Sequence, residues 1–399
     1  MESIKQSTKQ SKPLFTVWRA ILAVIFLAGA YATYLRFAVG WSAATNLSDA
    51  QPWGIWVGLA TLCGVGLSAG GFTVAAAVYL LGMERYRPIA RAAVLIAYLG
   101  YLSVCAGYAY ELGLPWLAWH AFIYWNPHSV LFDVCFCILA YTTVLTIEFS
   151  PAVVEKLPWK GFRDTYMHWH HRLATAVVLA GVLLSSMHQS FLGGLFLIFK
   201  GKIYPLWYTP YLTTMFYLSA IPAGLAMVVI AMYLCNRSLN AKVDPAIIKE
   251  VAWVISPMLI INLVWRMVDL VKHGGGPYLF LRRPETAYFW LEIALFIVVP
   301  VIMFNSRAIM NRPEGVYWTS AVVIMGFITN RLNVSINSLE RATHAGYVPK
   351  WPELAVTVML VACTVIAFRY AVLYLDILPR RVKETRQRWL ANAGIAANA

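Results

Sequence analysis

Two carboxylates stand at the ends of one apolar stretch: Asp133, in Asn126-Pro127-His128-Ser129-Val130-Leu131-Phe132-Asp133, and Glu148, in Glu148-Phe149-Ser150-Pro151. An ionisable group inside a membrane span is costly and usually marks a route for ions, protons or substrate. At helical rise the separation of the two acids is about 22 Å, and the intervening steps of about 100° return to within about 60° of the starting direction. Both can therefore face one interior. Cys137, Tyr141 and Val144 continue the stripe at spacings of three and four, so Tyr141, with waters, can bridge the acids and let protons move along the helix. For Glu148 the alternative is a side chain that snorkels to the interface.

The elements that must hold these groups are membrane helices. Hydrophobic residues make up 60% of the chain and charged ones 13%, and the mean hydropathy is +0.64, too apolar for a soluble domain of this size. Ten stretches are long enough to cross a bilayer, near 14–39, 53–82, 87–112, 128–150, 172–198, 207–235, 247–272, 286–307, 316–336 and 350–375. They are unbroken runs, not the short alternating segments of a barrel. The expected fold is an all-α integral membrane protein forming a single polytopic domain over 1–399. A faint echo between Trp53…Ser68-Ala69-Gly70-Gly71 and Trp207…Ser219-Ala220-Ile221-Pro222-Ala223-Gly224 suggests two four-helix bundles, helices 2–5 and 6–9, flanked by helices 1 and 10. The glycines of helix 2 read as close helix packing.

The net charge of +14 does not mark a nucleic-acid binder, because Lys and Arg concentrate in the two tails and in the 2–3, 4–5, 6–7 and 8–9 connections. By the positive-inside rule both termini are cytoplasmic, as an even number of spans also requires. The first apolar run continues to Ala38, too long for a signal peptide, and is read as a retained helix. All six cysteines fall in spans with no C-x-x-C pair, which argues against disulfides and an iron–sulfur cluster.

With this orientation many buried polar groups share one level, toward the outer face. His188 and Gln189 come late in helix 5, Arg266 and Asp269 late in helix 7, Glu292 early in helix 8, and Asn330, Arg331 and Asn333 in the outer half of helix 9. His188, Arg266, Asp269, Glu292 and Arg331 are expected to form a secondary polar cluster, with Arg266–Asp269 and Arg331–Glu292 as structural ion pairs. The connection Tyr110-Glu111-Leu112-Gly113-Leu114-Pro115-Trp116-Leu117-Ala118-Trp119-His120 lies on the same side as Asp133. It has no Lys or Arg, interface-type aromatics, one acid and one imidazole, and would admit a flat amphipathic ligand with two hydrogen-bonding carbonyls. No two histidines are placed to grip a haem across facing spans.

At these residues the chain resembles the polysulfide-reductase membrane-subunit family (NrfD/PsrC-like). It is most similar to the ten-helix branch of quinone-linked nickel–iron hydrogenases and related sulfur-metabolism complexes. The segments that carry the resemblance include Pro52-Trp53-Gly54-Ile55-Trp56, Glu111-Leu112-Gly113 with Trp119-His120, Asn126 to Phe132, Leu145-Thr146-Ile147-Glu148-Phe149 and Met187-His188-Gln189-Ser190. Pro205-Leu206-Trp207, Phe289-Trp290-Leu291-Glu292 and Tyr347-Val348-Pro349-Lys350-Trp351-Pro352-Glu353 continue it in the family's order. The resemblance implies a haem-free and metal-free subunit of the bacterial inner membrane that binds quinone, either menaquinone or ubiquinone, near the outer face. It implies a ferredoxin-like iron–sulfur subunit docked on the periplasmic face, and catalytic oxidoreductase subunits of a hydrogenase or a sulfur-compound enzyme. It assigns His120, Asp133 and Tyr101 to the quinone neighbourhood, with Tyr110 and Glu111 beside them, and Glu148 to a proton path. The chain departs from the pattern at Glu111, where Asp is common, at Asp133, where Glu is common in the hydrogenase branch, and at Leu114, which replaces a frequent Arg.

The reading is a quinone-reactive membrane anchor of a multisubunit oxidoreductase. A secondary transporter using its midspan charges and a passive anchor without its own quinone site are the rival classes.

Overall fold

The computed structural model describes residues 17–199, 201–339 and 346–379. The basic tails counted above lie outside these residues, as does His344. Within them the protein is all-α. Ten long helices follow one another: α1 Val17–Val39, α2 Trp56–Leu80, α3 Glu84–Glu111, α4 Val130–Val154, α5 Lys160–Leu197, α6 Leu212–Ser238, α7 Pro245–Lys272 and α8 Pro284–Asn305, then α9 Pro313–Leu332 and α10 Trp351–Tyr374. Among the described residues, nine are long and apolar enough to cross a membrane. The exception is α9, whose 20 residues reach across the hydrocarbon but end in Asn330 and Arg331, a polar load that its interior position accounts for below.

Local sequence sets the ends. Ser129 accepts a hydrogen bond from the Phe132 amide and starts α4, which puts Asp133 in the first turn, where the helix dipole favours a negative charge. Asp244 caps α7 through the Ala246 amide at 2.9 Å, with Pro245 in the first turn. α5 begins at Lys160, a dozen residues before the expected span. Its 38 residues make a rod of about 57 Å, so its polar first turns project beyond the hydrocarbon and carry His168, His170 and His171 with them.

α2 packs on α3, α5 and α6; α4 lies against α3 and α5; α5 also lies against α6. α6 packs on α7 and α9, and α8 on α7 and α9. α1 and α10 pair with each other, and α10 leans on α3. The seam between α2 and α6 runs through the echoed segments. A Cβ on Gly70 would lie 2.2 Å from the Gly224 carbonyl oxygen, and one on Gly224 would lie 2.1 Å from the Gly70 nitrogen, so the two backbones touch because neither residue has a side chain.

This contact makes a prediction. Gly70→Ala and Gly224→Ala should each lower the unfolding midpoint of the detergent-solubilised protein, overpacking costing about 1–3 kcal/mol. Gly194→Ala, whose Cβ would meet nothing closer than 3.6 Å, should stay within about 0.5 kcal/mol of wild type. A Gly70→Ala protein as stable as the wild type would mean that the seam has slack.

Candidate functional site

In the interior bounded by α2, α3, α4 and α5, Tyr101 of α3 is fully buried. Its hydroxyl is 3.1 Å from Nδ1 of His188, and its ring meets Tyr141 of α4 edge to face at 4.5 Å. On α5, Gly181, Ser185 and His188 repeat at spacings of four and three and so share one face. A Cβ on Gly181 would lie 3.7 Å from the Tyr141 ring and 3.8 Å from Oε2 of Glu148, so both α4 side chains lean on α5 at this point. The Ser185 hydroxyl interacts with both phenols, though neither Tyr141 nor Ser185 makes a hydrogen bond of good geometry. Tyr141 OH, Ser185 Oγ, His188 Nε2 and Glu148 Oε1 are all buried with hydrogen-bonding capacity to spare. Buried polar atoms of this kind are normally completed by ordered water.

Glu148 also opens into a cavity of about 370 Å³ at the end of α4. Tyr79, Arg87, Arg91, His170, His171 and Thr175 line it as well. At the opposite end of the same helix Asp133 is half-buried, close enough to Cys137 to act on its thiol. Beside it the Trp125 ring packs on Phe132 at 5.6 Å and on Phe136 at 5.7 Å. His120 is half-buried between Trp119, at 4.1 Å, and Tyr124, at 5.4 Å.

The residues expected around one ligand therefore occupy three places. His120 and Asp133 lie at the aromatic rim, and Tyr101 lies deeper, with Tyr141 and His188. Tyr110 and Glu111 belong to a third group built on α1 and α10. Arg36 of α1 donates from Nε to the Tyr110 carbonyl at 2.9 Å and from Nη2 to the Leu112 carbonyl at 2.6 Å. Thr33 Oγ1 and Tyr110 OH are 2.8 Å apart, and Glu111 senses the charges of Arg36 and Glu353. Glu353 is itself buried and accepts from the Tyr347 hydroxyl at 2.6 Å and the Lys350 amide at 2.7 Å. Burial, then this bond, push the Tyr347 phenol well above its ordinary range, so it remains a donor.

The secondary cluster is real but composed differently. Glu292 is fully buried and accepts from four donors. Arg266 and Asn330 (2.7 Å) reach Oε1, while Trp207 (2.9 Å) and Asn333 (2.8 Å) reach Oε2. Arg266 thus pairs with Glu292 and not with Asp269, because its long side chain reaches from α7 across to α8. Asp269 instead lies 3.0 Å from the imidazole of His273. Arg331 does not touch Glu292: it donates to Asn330 Oδ1 at 2.7 Å, Ser219 Oγ at 2.8 Å and the Phe216 carbonyl at 3.1 Å, and its guanidinium stacks 3.8 Å from the Phe216 ring centre. His188 leaves this cluster altogether for Tyr101. The same network explains the polar end of α9.

Sequence reasoning passed over Arg36 and Ser185, and it gave Trp207 and Glu353 no place in a site although both stand in segments that carry the resemblance. Ser185 was findable, since Gly181-x-x-x-Ser185-x-x-His188 puts three non-aliphatic residues on one helical face. The others are paired by tertiary packing that no local pattern announces.

Fold and site together define a polytopic helical membrane protein with an internal row of buried, incompletely bonded polar side chains. The chain belongs to the polysulphide reductase NrfD family, which residues 43–341 match. It is 32% identical to a protein of Nitratidesulfovibrio vulgaris over 92% of this chain and 95% of that one. It is 27% identical to the probable Ni/Fe-hydrogenase 2 b-type cytochrome subunit of Escherichia coli, covering 86% of this chain and 88% of the relative. With the integral membrane subunit of menaquinone reductase from Nitratidesulfovibrio vulgaris it shares 26% identity over 94% of each chain.

The Glu292 network predicts a stability effect. Glu292→Ala strips four donors of their acceptor and leaves the Arg266 side chain, 11% exposed, without its counter-charge, a change expected to cost about 3–5 kcal/mol. Adding Arg266→Leu should recover part of the loss. Thermal unfolding of the purified protein measures both, and a single variant as stable as wild type would show that the network does not anchor the fold.

Proposed function

We propose that the chain is the quinone-reactive membrane subunit of a respiratory oxidoreductase complex of the bacterial cytoplasmic membrane, with both termini on the cytoplasmic side. It exchanges electrons between menaquinone or ubiquinone and an iron–sulfur subunit docked on the periplasmic face, which in turn serves a catalytic hydrogenase or sulfur-compound subunit. The observation that carries the reading is the row Glu148, Tyr141, Ser185 and His188, buried with unused hydrogen-bonding capacity. It runs from a cavity at one end of α4 toward Asp133 at the other. Family membership and the names of the menaquinone-linked relatives support the choice of quinone.

Quinone reduction consumes protons as well as electrons, so the subunit must hold the ring and deliver protons to it. At the rim, His120 offers a donor to one carbonyl and Asp133 exchanges the proton at the other, while Trp119, Tyr124, Trp125 and Phe132 flank a flat ring. Protons reach that rim from Glu148 through Tyr141, Ser185 and His188, with water between them.

Asp133→Asn and His120→Ala should each lower quinone-linked turnover while the partner's activity with an artificial dye persists; an equal loss in both assays would mean a disassembled complex and would sink the site. Glu148→Gln keeps shape and hydrogen bonding but cannot titrate, so turnover and proton uptake in liposomes should fall together by about tenfold or more. Wild-type uptake by Glu148→Gln would leave Glu148 as an interface residue. The subunit is also proposed to carry no haem: after dithionite the purified chain should lack a b-type α-band, and a stoichiometric one would move the electron path into the membrane.

A further inference from the structure

The cavity below Glu148 holds a second group with the same unfinished character. His170 lies on the α5 face that carries Gly181, Ser185 and His188: positions 170, 174, 177, 181, 185 and 188 advance by three or four. From His170 to His188 the face runs about 27 Å, nearly the thickness of the hydrocarbon. His170 lines the cavity with Glu148, and its Nε2 is buried without a hydrogen-bond partner. Its ring interacts with the backbone of Ile147, the residue before Glu148, and stacks on Tyr166 with centroids 6.2 Å apart.

The other charged groups at the cavity are accounted for. Arg91 is held bidentately by Glu155 at 2.7 and 3.0 Å, and Arg87 by Glu84 at 2.8 Å. Tyr79 from α2 faces the same space, and His171 is exposed at its edge. Two basic groups already neutralised by acids, beside an imidazole and a carboxylate with free capacity, do not make a site for an anion. They make a site where a proton changes hands.

We infer that His170 is the group that loads Glu148 with protons from the aqueous side, an imidazole relay at the mouth of the row. The inference rests on the proton path proposed above. In the step the Nε2–H bond of the imidazolium breaks as an O–H bond forms on Glu148, through water in the cavity. The imidazole then regains its proton from bulk water, and no electron moves. Quinol oxidation would run the same exchange in reverse. Histidine suits this place because an imidazole can take a proton at one ring nitrogen and give one up at the other.

The test uses the whole complex in proteoliposomes. His170→Ala should lower quinone-coupled proton uptake by about tenfold or more, and free imidazole, small enough for the cavity, should restore it in proportion to its concentration. His170→Gln, which preserves bulk and polarity, should be equally slow, and should report the same effect should the alanine variant fail to assemble. His168→Ala, exposed on another face of α5, should behave as wild type. Glu148→Gln should be slow and should not respond to imidazole. If Glu148→Gln is impaired but His170→Gln takes up protons at the wild-type rate, or if an assembled His170→Ala ignores imidazole, the relay is wrong while the path stands. If Glu148→Gln itself is normal, the path fails and the relay with it.

Discussion

A carboxylate surrounded by hydrocarbon has to find its hydrogen-bond donors inside the protein, because the solvent offers none. That constraint sorts the acids of this chain into two kinds. Glu292 is saturated, with two donors on each oxygen drawn from α7, from the end of α9 and the turn that continues it, and from the Trp207 connection. Glu353 is nearly so, tied to Tyr347, Lys350 and Asn46. Glu148 is the opposite case: one oxygen rests near α5 and the other has no protein donor. Residues of one type thus stand in one place as a fully bonded node and in another with bonding capacity left open. What distinguishes them is the completeness of their surroundings and not their depth.

On α6 to α9 most polar side chains gather around Glu292, and the Arg331 guanidinium is enclosed by Phe216 and Phe327 as well as by its hydrogen bonds, with Asn262 Nδ2 and Arg331 Nε left over. On α4 and α5, Tyr141, Ser185 and His188 are incompletely bonded along one interior line that leads to Glu148. At the end of α3, Arg36 straps the carbonyls of Tyr110 and Leu112 to α1, so the connection leading to His120 starts from a fixed point although its Trp116 and Trp119 side chains are exposed.

The helices were legible in the sequence; the way they face one another was not. Unbroken apolar runs mark the helices, which is why all ten could be read. Which neighbour each residue faces depends on how helices are rotated and packed. His188 turns to Tyr101 rather than to the Glu292 cluster, and Arg266 bypasses Asp269 on its own helix for Glu292 on the next. α5 was cut short in the reading because Lys160 to His171 is polar, and polarity says where hydrocarbon ends, not where a helix ends. The stripe from Asp133 through Tyr141 to Glu148 was visible because it lies on one helix, where spacing alone fixes direction.

The contact between Gly70 and Gly224 bears on how the molecule can work as a machine. Transporters that operate by alternating access need two bodies able to rock or slide past each other around a substrate, and such movement requires compliant side chains at the pivot. Here peptide groups meet peptide groups, with no flexible layer to act as a lubricant. At this point α2 and α6 are held backbone to backbone, which makes a poor pivot for rocking and a good strut.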